Sequence, residues 1–218
     1  MKILDQDKDG NAKFLGIPVG ISGAYSKEAR RAQFEPRNPK LFVGRKFGAG
    51  WDLNMGALAV KLGLVGPNAS LEDVESDIPE EVVRALRIAP LVGAGAVAAA
   101  ALVIGSTSRK LPTAWNWKLL PKEFGSARSA VLPHALAAVG VGAWSALQNK
   151  QDSGVDAVVS AQALGLQTTA LLMMVAAVRG GLMPKVPCPM VILGPLATPG
   201  VATAVLSKTV NAALENRA

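Results

Sequence analysis

Residues 88–108 read IAPLVGAGAVAAAALVIGSTS, 21 consecutive positions without Asp, Glu, Lys or Arg. A helix rising 1.5 Å per residue needs roughly 20 apolar residues to cross a hydrocarbon core of about 30 Å. A water-soluble helix would carry charge on one face every three or four residues, and this stretch carries none. Three stretches of the same kind follow at residues 129–149, 157–178 and 186–207, of 21, 22 and 22 residues, each bounded by charge. The pattern predicts an all-α polytopic membrane protein with four transmembrane helices.

The fourth stretch differs from the others. It holds Pro187, Pro189, Pro195 and Pro199, diluted by Gly194, Thr198 and Gly200. Proline lacks a backbone donor and clashes with the preceding turn, so this helix is expected to kink or to start late. A re-entrant or interfacial segment is the other reading. The spans are also rich in Ala and Gly, notably at 93–101 and 135–143. Three pairs, Ala89/Gly93, Gly95/Ala99 and Ala138/Gly142, have the small-xxx-small spacing that lets helix backbones approach closely.

Composition agrees with this class. Of 218 residues, 50% are hydrophobic and 18% charged, against about 25% charged in ordinary soluble domains. One cysteine excludes a disulfide framework or a Cys-rich metal site, and one histidine excludes a His cluster. The net charge of +7 is unevenly spread. Residues 1–87 hold 13 basic and 12 acidic residues, whereas residues 88–218 hold 10 and 4. Basic residues in loops beside the membrane suit anionic lipid headgroups. They form no footprint on a soluble domain, so nucleic-acid binding is rejected.

Residues 1–13 mix three Lys with three Asp and show no apolar core of a signal peptide. The expectation is a cytoplasmic N-terminus in a bacterial plasma membrane, with both termini inside. The loop cations lean the other way. Arg84, Arg87, Lys150, Lys208 and Arg217 fall on the N-terminal side, and Arg109, Lys110, Lys118, Lys122, Arg128, Arg179 and Lys185 on the other.

Residues 1–86 read as a small, loop-rich soluble module ahead of a bundle at 87–218. Asp5-x-Asp7-x-Asp9-Gly10 starts like an EF-hand loop, but its twelfth position is Gly16 instead of Glu, so no metal site is expected. Residues 14–21 are apolar and suit the membrane surface or the module's own core. Ser26 is placed to cap a short helix over 26–34. The most distinctive segment is KLFVGRKFGAGWDLNMG at 40–56, with Phe42, Phe47 and Trp51, the adjacent Arg45 and Lys46, and Asn54. It lacks the spacing of a phosphate loop or a dinucleotide fingerprint. A β-like hairpin is expected, its aromatics packed inward or onto the bilayer interface. Residues 57–65 suit a short interfacial helix, and a helix starting from Pro79 should run into the first span, with Glu80 and Glu81 favoured by the helix dipole.

The stretch from Pro39 to Asn54 resembles a short module of bacterial membrane proteins with the pattern LFVx(K/R)(K/R)FGxG(W/Y)xLN, with Gly44 where proline is usual. That module often accompanies the SdpI-like family, in which a loop like LPxx(W/H)N joins two membrane helices. Leu111-Pro112-Thr113-Ala114-Trp115-Asn116 is similar to that loop, with Ala114 where the family has His. The resemblance implies a non-enzymatic bacterial integral membrane protein, with an immunity or signalling role in one branch.

An ionisable or amide group inside a span is the default place to look for function. His134 lies near one end of the second span and Gln167 near the middle of the third. No nucleophile–base pair, paired carboxylate or metal set emerges, so a non-enzyme without a cofactor is expected. The leading expectation is an accessory or scaffold subunit packed against a larger integral membrane complex, of which a respiratory supercomplex is a natural example. Phe42, Arg45, Lys46, Phe47, Trp51, Asn54, Trp115, Asn116 and Trp117 are its candidate contacts. The alternative is an SdpI-like receptor that senses an external peptide through the 109–128 loop.

Overall fold

The computed structural model describes residues 4–6, 12–14, 17–21, 32–45, 47–151 and 156–217. The chain is an all-α polytopic membrane protein, with a small loop-rich module ahead of four long apolar helices. These are α3 (Glu80–Gly105), α4 (Ala127–Gln151), α5 (Ala157–Leu182) and α6 (Met190–Arg217), following the short helices α1 (Met55–Lys61) and α2 (Leu71–Val74). At 25–28 residues each, the four are long enough to cross a bilayer.

Two compact units make up the chain: residues 80–202, and residues 1–79 together with 203–218. In the first, α3, α4 and α5 share an apolar seam of Val97, Val131, Ala138, Ala170 and Met174. Helix α3 begins at Glu80, with Pro79 just outside it, and runs on through the expected change of domain at residues 86–87. Helix α6 starts late, at Met190, after Pro187 and Pro189, and continues through Pro195 and Pro199. Its first helical bond runs from the Leu193 N–H to the Pro189 carbonyl, 3.0 Å.

The loop expected between the first two spans is a β-hairpin of β7 (Lys110–Trp115) and β8 (Pro121–Ser126), antiparallel and bulged around Ala114. Its turn is organised by Asn116. The Asn116 side-chain oxygen accepts from the backbone N–H groups of Lys118 (2.9 Å) and Leu120 (3.1 Å). Leu119 takes φ +60°, a left-handed conformation uncommon for a branched residue, and its carbonyl accepts from the Cys188 N–H.

In the other unit, strands β1 (Leu4–Gln6), β2 (Ala12–Phe14), β3 (Ile17–Ile21) and β5 (Phe47–Ala49) form an antiparallel sheet in that order. Strand β4 (Phe42–Gly44) pairs with β6 (Trp51–Leu53). The expected hairpin is therefore interrupted, since the strand between its two arms joins the other sheet. Gly50, at φ +113°, makes the return that other residues adopt only with strain, and its carbonyl accepts from the Arg45 N–H. Most of the EF-hand-like stretch (Asp7, Asp9, Gly10), most of the expected 26–34 helix and Lys46 lie outside the described residues.

The end of α6 closes this unit. Leu206, Val210 and Ala213 are fully buried at helical spacing. The Asn211 amide donates to the Leu64 carbonyl and the Asn216 amide to the Asp77 carbonyl, both at 3.0 Å. Arg217 adds an ion pair with Asp77. The module and the C-terminal end of α6 thus belong to one compact unit.

Candidate functional site

Among the described residues, Gln167 is the strongly polar side chain that the bundle buries at mid-depth of α5. Its amide nitrogen donates to the Pro90 carbonyl of α3 (2.7 Å) and the Ala138 carbonyl of α4 (3.3 Å). Two carbonyls on one side fix the orientation of the amide, because the reversed group would set oxygen against oxygen. Without water in the hydrocarbon, such interhelical bonds contribute about 0.6–2 kcal/mol each.

Room for this side chain comes from two glycines. A Cβ on Gly93 would collide with Gln167 Oε1, and one on Gly142 would stand 2.8 Å from the Ala94 Cβ and 2.9 Å from the Pro90 carbonyl oxygen. The oxygen of Gln167 has no conventional donor among the described residues. It faces the Gly93 Cα, where a weak Cα–H contact is available to it. Gln167 is therefore a three-helix clasp, and two of the three small-residue pairs serve it.

Two further polar joints fasten the bundle. At the α4–α5 turn, Ser145, Asn149 and Ser160 form a buried chain of contacts at 3.3 Å. The Asn149 oxygen accepts from the Asp156 N–H at 2.8 Å, and Asp156 caps α5 by accepting from the Val159 N–H. Between α5 and α6, the Thr169 hydroxyl donates to the Gly194 carbonyl (2.7 Å), which leaves Thr198 to donate to Thr169. Gly165 lies against the Thr198 backbone with no space for a side chain. His134, half-buried, follows Pro133 in the first turns of α4.

The candidate residues of the hairpin part company. Trp115 is half-buried and packs on Gly180 of α5, where a Cβ would strike its ring, while Leu111 lies over Gly181. Asn116 belongs to the turn. Trp117 is 86% exposed, with the Lys118 ammonium 5.1 Å from its ring centroid. Trp115→Ala is expected to lower bundle stability by about 2 kcal/mol, half the cost of a fully buried Trp. Trp117→Ala should leave it unchanged. Thermal unfolding in mild detergent reads both.

In the amino-terminal module, Phe42, Gly44, Trp51 and Leu53 share one face of the β4–β6 pair, by the register Phe42↔Leu53 and Gly44↔Trp51. Phe42 and Trp51 are 64% and 53% exposed. Arg45 pairs with Asp52 at 3.0 Å. Phe47 lies on β5 in the other sheet, apart from this pair. Asn54 is fully buried and works inside the module instead of on its surface. Its oxygen accepts from the N–H groups of Glu35, Gly56 and Ala57, and its amide donates to the carbonyls of Glu35 and Asn38. The conspicuous motif thus splits into an exposed aromatic face and a buried asparagine hub.

Sequence reasoning singled out Gln167 but missed Gly93 and Gly142 as its complement, and missed Asn149. It also missed the cap signal of Asn54, an Asn directly before a helix-forming Met-Gly-Ala-Leu-Ala run. No protein-family model, no curated protein and no solved structure matches the chain.

Proposed function

We propose that the protein is a non-catalytic accessory or scaffold subunit that packs against a larger integral membrane complex of a bacterial plasma membrane. The observation that carries this reading is the third small-residue pair. Gly95 and Ala99 face outward on α3, with no atom within 4 Å of where a Gly95 Cβ would stand. Around them Leu91, Val92, Leu102 and Val103 are exposed and form ridges beside a shallow groove. In lipid such a groove admits the backbone of another helix, because association there depends on close packing and not on a hydrophobic drive. Helix α3 is also the least enclosed span, 17% of its apolar stretch being buried against 44% for α5.

The hairpin end supplies the second partner, anionic lipid. Seven cations flank it (Arg109, Lys110, Lys118, Lys122, Arg128, Arg179 and Lys185) against one acidic residue, Glu123. The N-terminal module then stands on the cytoplasmic side, with Phe42 and Trp51 open to a host complex such as a respiratory supercomplex.

The test is purification of the tagged protein at native expression in gentle detergent, with mass spectrometry of the eluate. A partner at near-equal stoichiometry is expected. Gly95→Leu should reduce its recovery about tenfold, equivalent to about 1.4 kcal/mol. Gly140→Leu, which also points away from the bundle, should not. A clean monomer or homo-oligomer overturns the reading and favours the stand-alone sensor, whose signature would be a response lost in the Trp115→Ala, Trp117→Ala double variant.

A further inference from the structure

The turn between β7 and β8 carries a side chain that the fold leaves outside. Trp117 is 86% exposed, and the Lys118 ammonium stands 5.1 Å from its ring centroid. An indole is apolar over its faces and polar at its N–H, so it suits the layer between water and hydrocarbon better than either. The turn that presents it is well tied. Asn116 accepts from the Lys118 and Leu120 N–H groups through its side chain, and its carbonyl accepts from the Leu119 N–H at 2.9 Å.

The depth of this turn is set inside the unit of residues 80–202, which holds the hairpin and the helix ends around it. On one side, the Trp115 ring lies on Gly180, the residue after Arg179, whose charge ends the third apolar stretch. That stretch, residues 157–178, rises about 33 Å as a helix and fills a hydrocarbon core of about 30 Å. Gly180 therefore stands at the rim of the core. On the other side, the Leu119 carbonyl accepts from the Cys188 N–H at 3.0 Å, just ahead of α6. The turn thus runs from one helix end to another, along the membrane surface. Trp117 is two residues from Trp115 and two from Leu119, and two residues of chain reach at most about 7 Å. The headgroup layer on each side of a bilayer is about 5–7 Å thick, from totals of about 40–45 Å with both layers and 30 Å without them. Trp117 is held within reach of that layer.

We infer that Trp117 and Lys118 form an interfacial anchor for anionic phospholipid, with the indole among the headgroups and the ammonium on a lipid phosphate. Charge selects this occupant. Arg179 precedes Gly180, Lys185 lies three residues before Cys188, and Lys122 follows the turn on β8, whereas Glu123 is the one acidic residue of the hairpin. A surface of anionic headgroups is complementary to that set. Tryptophan and lysine are also the residues that fix a membrane protein's depth at the water boundary. The inference rests on the reading of the hairpin end as a site for anionic lipid, and it names the side chains that make the contact. Trp115, whose ring is spent on α5, has no part in it.

The test uses full-length protein, purified without partners, in vesicles of phosphatidylcholine and phosphatidylglycerol in equal parts. One preparation carries bromine on the acyl chains of the first lipid near the headgroup, the other on those of the second, and bromine quenches an indole that it touches. The emission of wild type minus that of Trp117→Phe isolates Trp117 from the other tryptophans, and circular dichroism verifies the fold. Both lipids are expected to quench Trp117, brominated phosphatidylglycerol about twice as strongly, and Lys118→Gln should remove about half of that excess. Quenching by neither lipid places Trp117 in water or under protein and overturns the inference. Equal quenching by the two, or an excess untouched by Lys118→Gln, overturns it as well. Phosphatidylglycerol retained on the detergent-solubilised protein, counted by native mass spectrometry, separates this inference from the reading beneath it. Retention without quenching of Trp117 overturns the anchor alone, and no retention overturns both.

Discussion

Gly93→Ala should loosen the bundle by about 2 kcal/mol, a typical cost of overpacking, and should lose most of that effect once Gln167 is alanine. The added methyl group has no free space, because it collides with Gln167 Oε1. Gln167 is not a freely swinging side chain that can step aside. Its amide is held by the Pro90 and Ala138 carbonyls, so moving it strands a donor in hydrocarbon. Gln167→Ala alone should cost about 2 kcal/mol, from lost bonds and the void left behind. In the double variant the methyl group introduced at position 93 occupies part of that void and adds helix propensity. The two effects should then fall short of their sum by about 1 kcal/mol or more, within the range of about 0.5–3 kcal/mol measured for contacting pairs. Reversible unfolding by SDS titration in mixed micelles, for wild type, both single variants and the double variant, gives the cycle. Strict additivity would show that Gly93 and Gln167 are not neighbours in the membrane.

The four spans were legible because charge is excluded from the hydrocarbon whatever the helices do to one another. That constraint acts on each segment separately and leaves its mark in the local sequence. The clasp was only half legible. A glutamine among apolar residues announces a polar contact, but its partners are backbone carbonyls, which every residue has. Which glycine faces it depends on the rotation of three helices about their axes, and Ala89/Gly93 and Gly95/Ala99 look alike until that rotation is known. The hairpin at 110–126 was hidden for a different reason. Its strands are bulged and its turn rests on Asn116 and a left-handed Leu119, a conformation that no residue preference advertises. The return of α6 to the Leu64 and Asp77 carbonyls rests on contacts 147 and 139 residues apart in sequence, and its donors are ordinary surface amides. In the motif at 40–56, Trp51 and Phe42 drew attention as aromatics and are exposed, whereas Asn54 was read with them although its place ahead of α1 marks it as a cap.

Asn54→Ala should unfold the amino-terminal module while leaving the membrane bundle folded. The side chain saturates every hydrogen-bonding position it has: three N–H groups converge on its oxygen at 3.0–3.2 Å, and two carbonyls receive its amide at 2.9 and 3.1 Å. Alanine would leave the three N–H groups and the Asn38 carbonyl without that partner, while the Glu35 carbonyl keeps its bond from the Asn38 N–H. A buried unsatisfied group costs about 1–3 kcal/mol, and loss of a helix cap about 1 kcal/mol. No neighbouring side chain can replace it, because the 35–36 backbone already lies against α1. A Cβ on Gly56 would stand 2.6 Å from the Glu35 and Pro36 nitrogens, so the gap is closed to anything larger than hydrogen. Asn54→Asp separates the two halves of the role. Aspartate keeps the three accepted bonds and the cap but turns a carboxylate toward two carbonyl oxygens, so it should destabilise the module less than alanine and more than wild type. Hydrogen exchange followed by mass spectrometry provides the readout. Peptides covering 33–61 should lose protection in the order Asp then Ala, while peptides within α4 and α5 keep theirs. Equal protection in all three proteins would mean that the hub does not hold the module. Simultaneous loss in α4 and α5 would mean that the module and the bundle fold as one cooperative unit.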